Sequence, residues 1–151
     1  MRRLIMVILM LLVMSATCMA ASWEWICSTP NVGLFYDKDS IVFDMSNTKI
    51  TNRDKCYVWV KIVYDKAFAQ KHFKDNTAFS IEHWGFDLAN NRMNEGEKLY
   101  YDDSGQLIDE TKSTQKWEAV VPSTFAEAVK EKVEKHVRAH TEEIEQRTRG
   151  N

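Results

Sequence analysis

The stretch from Tyr57 to Tyr64 constrains the fold more than any other, because almost every position in it is aliphatic or aromatic. In a β-strand, Val58 and Val60 fall on one face, whereas Trp59 and Val63 fall on the other. A strand with apolar side chains on both faces lies in the centre of a sheet or is covered on its second side. The stretch therefore predicts a central strand of a sheet that buries at least one face.

Shorter runs of the same kind surround this strand and are separated by polar turn signals. They lie at about 22–27, 34–36, 40–43, 77–88, 98–101, 106–108 and 115–121. The sequence Asp102-Asp103-Ser104-Gly105 is typical of a tight hairpin turn. Because connections this short join antiparallel strands, the pattern predicts an antiparallel β-sheet meander.

A helix is predicted after the last strand. Thr124 and Glu127 have the spacing of a capping box. Apolar residues then recur every four positions along one stripe, at Phe125, Val129, Val133 and Val137. A helix over about 124–148 would span ~37 Å, whereas five strands give a sheet only ~20 Å across. We therefore expect the helix to dock on one face of the sheet up to Val137 and to overhang it afterwards, loosely held or in contact with a partner. The fold class is α+β.

The N-terminus has the pattern of a secretory signal peptide. Arg2 and Arg3 precede eleven apolar residues, from Leu4 to Met14. A membrane span needs ~20 apolar residues, so this run is too short for one. Small residues follow it, and they predict cleavage after Ala20.

Cleavage there would leave a single domain, residues 21–151, exported to the periplasm or the cell surface. Lipidation of Cys18 is the alternative. It normally requires an aliphatic residue three positions before the cysteine and a small residue directly before it, and here Ser15 and Thr17 stand in those places.

The charge of the exported part disfavours nucleic acid as a partner. Two of the 20 Lys and Arg residues lie in the leader, so 18 remain against 22 Asp and Glu, a net charge of −4. A mildly acidic, mixed surface gives no electrostatic attraction to phosphates.

Two cysteines remain after cleavage, Cys27 and Cys56. In an oxidising compartment such a pair predicts a disulfide. It would close a loop of about 28 residues and stabilise the fold by ~3 kcal/mol in the chain-entropy model. The alternatives are two separately buried thiols, or a Cys27 that faces solvent.

No catalytic pattern stands out, and we expect neither an enzyme nor a cofactor. His136, His140 and Glu143 have a helical spacing that can hold zinc. A solvated helix face is the favoured explanation, because such residues often occur by chance on a charged helix, and the HExxH motif is absent. His83 has no serine or cysteine context that would mark a nucleophile. Phosphate-binding, dinucleotide-binding and nucleophile-elbow motifs are absent from the sequence.

Aromatic residues are the remaining candidates for a binding surface. Five of them are singled out: Trp25, Tyr57, Trp59, Trp84 and Tyr100. One helix covers only one face of a sheet, and rings occur on both faces of the predicted strands. Some should therefore lie on an open face or in an oligomer interface.

The order of these motifs resembles the surface-adhesin protein E family of exported bacterial proteins. The segments that carry the resemblance are Trp23-Glu24-Trp25-Ile26, Phe35-Tyr36-Asp37 with Asp39-Ser40-Ile41, Val58-Trp59-Val60-Lys61, Tyr100-Tyr101-Asp102 with Gly105, Trp117, and Val121-Pro122-Ser123 with Glu127. The resemblance implies an antiparallel sheet with a C-terminal helix packed against it, often in a dimer. It also implies a binding role at the cell surface or in the periplasm, since family adhesins bind host matrix and plasma proteins.

The favoured hypothesis is thus a noncatalytic exported binding module whose partner is an envelope or host matrix protein, with a homodimer as one possible state. Two alternatives stay open. One is a small periplasmic metal-binding protein or enzyme that uses His136, His140 and Glu143. The other is an envelope assembly subunit that contacts its partner through the end of the helix.

Overall fold

The computed structural model describes residues 21–46, 49–73, 76–113 and 116–150. The predicted signal peptide, its cleavage after Ala20 and the alternative lipidation of Cys18 all concern the first 20 residues, which lie outside the described ones. None of the described helices is long and apolar enough to cross a lipid bilayer.

The described residues form one sheet in which every strand pairing is antiparallel. Its strands are β1 (Trp23–Ser28), β2 (Val32–Asp37), β3 (Val42–Ser46), β4 (Lys49–Tyr64), β5 (Phe79–Asp87), β6 (Arg92–Tyr101), β7 (Leu107–Thr111) and β8 (Trp117–Ala119). The order across the sheet is β1-β2-β4-β5-β6-β7, with β3 also paired to β4 and β8 also paired to β6. The predicted α+β class with an antiparallel sheet is confirmed.

Strand β4 contains the predicted central stretch and holds the sheet together. It pairs with β5 along one edge, and with β2 and β3 along the other. Val58 and Val60 are completely buried, as their position on the covered side of a central strand requires.

Three α-helices accompany the sheet in the described part of the chain: α1 (Lys66–His72), α2 (Phe125–Ala139) and α3 (Thr141–Gly150). A short 3-10 helix, Lys38–Ser40, lies between β2 and β3. Helix α2 packs its predicted stripe into the core, and Val129 and Val133 are fully buried. Thr124 Oγ1 accepts a hydrogen bond from the Glu127 amide, and a Glu127 carboxylate oxygen accepts one from the Ser123 amide at 2.7 Å. The predicted capping residues therefore begin the helix, although the carboxylate returns to Ser123 rather than to Thr124.

The single long helix predicted over 124–148 is wrong in its second half. The chain leaves helical geometry at His140, with φ −130° and ψ 29°, and a new helix begins at Thr141. After this break the last turns contact β3 and β4 instead of extending past the edge of the sheet. The length argument failed because it assumed one straight rod.

The predicted overhang after Val137 is consequently absent from the described residues, since α3 docks against β3. Ile144 is fully buried in the core, and Thr148 is almost fully buried. Thr148 Oγ1 accepts a hydrogen bond from the backbone amide of Phe43 at 3.1 Å. Arg147 donates to two backbone carbonyls in the β2–β3 connection, those of Lys38 and Ile41, both at 3.2 Å.

The predicted disulfide between Cys27 and Cys56 is also wrong, because both are free thiols. Cys27 on β1 is the cross-strand partner of Leu34 on β2, and Leu34 is the partner of Ile62 on β4. Cys56 is six residues away from Ile62 along β4, about 20 Å, whereas bridged Cα atoms lie within ~7 Å of each other. Burial raises the pKa of the Cys56 thiol to about 12. The alternative of two separate thiols is the one that the structure shows.

Candidate functional site

The two faces of the sheet differ in what covers them. Helices α2 and α3 pack on the face that carries Val58 and Val60, which we call the covered face. The described helices leave the opposite face, the open face, without a second layer. The register of the strands assigns to the open face Trp25, Phe35, Tyr57, Trp59, Lys61, Val63, Phe79, Ile81, His83, Leu99, Tyr101 and Trp117.

Four rings form a continuous group on the open face, which we call the aromatic shelf: Tyr57, Trp59, His83 and Trp117. Trp59 and His83 are cross-strand neighbours with ring centroids 4.7 Å apart. The His83 ring is also stacked near Tyr57 at 5.6 Å. Rings at such separations attract one another beyond the area that they bury, so the shelf is held in place by its own members.

Gly85 allows Tyr57 and Trp117 to lie close together over β5. A Cβ atom at this position would stand 2.9 Å from Tyr57 Cε1 and 3.3 Å from Trp117 Cη2. A larger residue would therefore push these rings apart. Beside them lies an open cleft of about 650 Å³ with polar side chains that include Asn94, Glu97 and Lys112.

The shelf carries little charge at neutral pH. Burial lowers the pKa of His83, and the carboxylate of Glu97 opposes that shift only in part. The imidazole is therefore neutral at pH 7. A neutral ring between Tyr57 and Trp59 makes the surface amphipathic, with flat apolar faces and polar ring edges.

A second aromatic group lies further along the open face. Phe79 and Tyr101 stack with centroids 5.0 Å apart. The Lys61 ammonium lies 4.4 Å from the centroid of Phe79, a cation–π contact. Trp25 lies in the same row of the sheet as Lys61 and is 60% exposed, so it is the most accessible large ring on this face.

The structure places only three of the five predicted binding-surface residues together. Trp25, Tyr57 and Trp59 lie on the open face. Trp84 lies on the covered face, where it is buried and its indole N–H donates to Glu82 at 2.9 Å. Tyr100 lies on the covered side as well, 5.7 Å from the ring of Phe73.

Sequence reasoning considered His83 only as a candidate catalytic histidine and left Trp117 out of the five aromatic residues that it singled out. Both belong to the shelf. The signal that could have found His83 was its parity: in an antiparallel pairing of β4 with β5 it stands on the same face as Trp59. That inference needed the register, which the sequence does not supply.

The metal candidates His136, His140 and Glu143 do not converge on one point. The two imidazoles are stacked, with centroids 4.5 Å apart and planes at 24°, so their nitrogen lone pairs lie in two separate, nearly parallel planes. Glu143 instead pairs with His140 Nδ1 at 3.4 Å and with Arg147 at 3.0 Å. Within the described ranges, no group of three or more His, Cys, Asp or Glu residues could hold a metal ion.

Comparison with known proteins gives the chain a family context. The family model described as "Surface-adhesin protein E" matches residues 23–133, a range that includes the whole sheet and the start of α2. The chain is similar in structure to Haemophilus influenzae protein E in its crystal form II, with a TM-score of 0.55. The two are 13% identical, and the match covers 76% of this chain and 87% of that one. At this identity the likeness shows a shared fold. No curated protein matches the chain.

Proposed function

The chain belongs to the surface-adhesin protein E family, and we propose from this that it is an exported, noncatalytic protein that binds a protein partner through its open face. The family implies binding to host or envelope proteins in general. Residues 1–20 would direct the export and be removed after Ala20. The mature N-terminus of protein secreted by its own bacterium would test that step, because another first residue would contradict it.

The observation that carries the proposal is the aromatic shelf together with Trp25 on a face without a second layer. Tryptophan and tyrosine are enriched in protein interfaces, where they supply much of the binding energy. Groups of partly exposed rings of this kind mark interaction surfaces on soluble proteins. A flat sheet face suits a protein surface better than it suits a small molecule, which binds in concave sites.

Two observations weigh against the alternatives. The docking of α3 on β3 occupies the helix end that an envelope assembly subunit was expected to offer to a partner. The stacked His136 and His140 rings do not form a ligand set. In the described residues, neither alternative is supported by an arrangement of side chains comparable with the aromatic shelf.

The experiment compares two variants of residues 21–151 for binding to purified host extracellular-matrix proteins and to solubilised envelope proteins. The double substitution Trp25→Ala and Trp59→Ala should weaken binding by about tenfold or more, since buried tryptophans are frequent hot spots. Lys132→Ala, on the exposed side of α2, is the matched control and should bind like the unmodified chain.

The proposal fails if the double variant keeps full affinity while its melting curve stays normal. A second copy of this chain is the other candidate occupant of the open face. Sedimentation of both proteins distinguishes it: a dimer that dissociates on loss of Trp25 and Trp59 would assign the face to self-association instead.

A further inference from the structure

A second cleft lies on the covered side of the sheet, away from the shelf, where helix α2 begins. It measures about 570 Å³ and opens between the first turn of α2 and strands β5, β6 and β8. Its apolar lining consists of Ile62, Trp84, Met93, Ala119, Val121, Phe125 and Ala126. A concave site of this size with apolar walls and a few polar groups has the form of a small-ligand site.

Glu82 stands at the inner wall of this cleft and is only 3% exposed. Ser80 Oγ donates to Oε1 of Glu82 at 2.9 Å, and the Trp84 indole donates to Oε2 at 2.9 Å. A buried carboxylate costs several kcal/mol when it lacks partners. Its cross-strand neighbour on β4 is Val60 and the Trp84 indole lies beside it, so apolar packing alone does not explain a charged residue at this position.

The charges within the cleft do not balance. The Lys98 ammonium lies 3.4 Å from Glu82 and 2.5 Å from Glu95, so two carboxylates share one cation. Burial acts to lower the pKa of Lys98, but Glu82 and Glu95 outweigh it and the net shift is upward. Lys98 is therefore charged, and one negative charge is left over.

The rest of the cleft does not cancel that charge. At the rim, Lys116 and Glu118 pair with each other at 2.6 Å and contribute no net charge. The positive end of α2 also lies here, but the carboxylate of Glu127 already accepts from the Ser123 amide at that end.

We propose that this cleft binds an organic cation, an ammonium or guanidinium group carried on an apolar stem. The cation would lie beside Glu95 and Glu82 and balance the leftover charge. The stem would lie along Trp84 and Phe125, whose rings also attract cations. An anion would meet two carboxylates, and an uncharged molecule would leave the charge without a partner.

The chemistry fits two sources: a lysine or arginine side chain of another protein, or a free amine. A titration of ¹⁵N-labelled protein separates them, with the indole N–H signal of Trp84 as the reporter because that group bonds to Glu82. The probes are hexylamine as a free amine and Nα-acetyl-lysine and Nα-acetyl-arginine methylamides as side-chain mimics. Hexanol and hexanoate are the uncharged and anionic controls.

At least one cationic probe should shift this signal saturably and bind about tenfold more tightly than hexanol, with hexanoate weaker still. Tighter binding of the methylamides than of hexylamine would assign the cleft to basic side chains, and the reverse order to free amines. Absence of a saturable shift with all three cations, or hexanoate binding as tightly as they do, would overturn the proposal.

Removal of the carboxylate of Glu95 gives the second test. Glu95 is half-exposed, so Glu95→Gln should leave the fold intact. It leaves Glu82 and Lys98 as a pair with no net charge. Cation binding should weaken by about tenfold, and hexanol binding should not change. Glu131→Gln, on the exposed side of α2 and outside the cleft, is the matched control and should alter cation binding less than twofold. Equal effects of the two substitutions would contradict the assignment. Neither result depends on whether the open face binds a protein.

Discussion

The two faces of the sheet are both apolar in sequence but differ in how deeply their side chains are buried. The covered face combines completely buried aliphatic residues such as Leu34, Val58 and Val60 with buried rings such as Trp84 and Phe86. The open face is rich in rings, and its members keep part of their surface in water. Aliphatic side chains gain most from tight packing, whereas Trp and Tyr combine an apolar body with a polar edge. This difference is the basis of the proposal that the open face binds a partner, while the covered face stabilises the fold.

Removal of α3 should give the largest effect on stability, because this helix completes the covered face. A chain that ends at His140 loses the buried side chain of Ile144 and the hydrogen bond between Thr148 and Phe43. We expect the free energy of unfolding in urea to fall by about 3–5 kcal/mol, as for removal of a large core side chain.

A chain that ends at Thr148 keeps both contacts and is the control. It should unfold at nearly the urea concentration of the intact chain. Equal stability of the two truncated chains would mean that α3 is loosely held, as the sequence had suggested.

A matched pair of substitutions on β4 compares the two faces directly. Val60 is completely buried on the covered face, whereas Val63 on the open face is 37% exposed. Val60→Ala should lower the free energy of unfolding by about 2 kcal/mol, through lost burial and the cavity that remains. Val63→Ala should cost less than about 1 kcal/mol, because its surroundings can be filled by water.

Urea unfolding of both proteins measures the difference. Equal losses would show that a second layer, supplied by another copy or another molecule, covers the open face in solution.

The features that the sequence predicted correctly depend on neighbouring residues. Alternation identified β4, and the spacing of Thr124 and Glu127 identified the start of α2. No glycine or proline stands near His140 to indicate in the sequence that the helix ends there. It follows from the docking of Ile144 and Thr148 on β3, a contact between distant parts of the chain.

The errors in the candidate site have the same origin. Cys27 and Cys56 could be separated only by the register of three strands. The faces of Trp84 and Tyr100 follow from the registers that place them opposite Val58 on β4 and Ser80 on β5. The pairing of β5 with β6 also contains an irregularity between Glu82 and Trp84, where β6 carries an extra residue. Gly96 permits it, because a Cβ there would lie 2.4 Å from the carbonyl oxygen of His83. The sequence shows a glycine in the strand, but it does not show which backbone atom would clash with a side chain at that position.

Acid should weaken the fold through His136, on the side of the covered face. Burial lowers its pKa most, and His140 and Arg147 lower it further, while Glu24 and Glu143 oppose the shift. Between the unfolded pKa of about 6.5 and the lower folded value, the unfolded chain binds the proton more readily. Stability should therefore be full above about pH 6.5 and should fall as the pH drops below it.

Urea unfolding between pH 7.5 and 5 measures this slope. His136→Gln should make it shallower, whereas His72→Gln, at an exposed position, should leave it unchanged. His83, whose pKa is also lowered, accounts for a remaining slope in the His136 variant. A free energy of unfolding that rises as the pH falls from 7.5 to 5 would contradict this prediction.

Reduction should have the smallest effect, because no bond joins Cys27 to Cys56. Dithiothreitol should leave the melting temperature unchanged. Iodoacetamide should modify Cys27 in the folded protein and spare Cys56, whose burial keeps it a thiol. Mass spectrometry of an unreduced digest provides the check, and a peptide pair linked through these two residues would refute the separate thiols.

The most direct measurement of the contrast between the faces is hydroxyl-radical footprinting of residues 21–151, alone and bound to a matrix or envelope protein. In the free protein, Trp25 should oxidise several times faster than the buried Trp84. In the complex, Trp25 and Trp59 should become protected while residues on the exposed side of α2 keep their rates. Protection of α2 with unchanged oxidation of Trp25 and Trp59 would contradict the account.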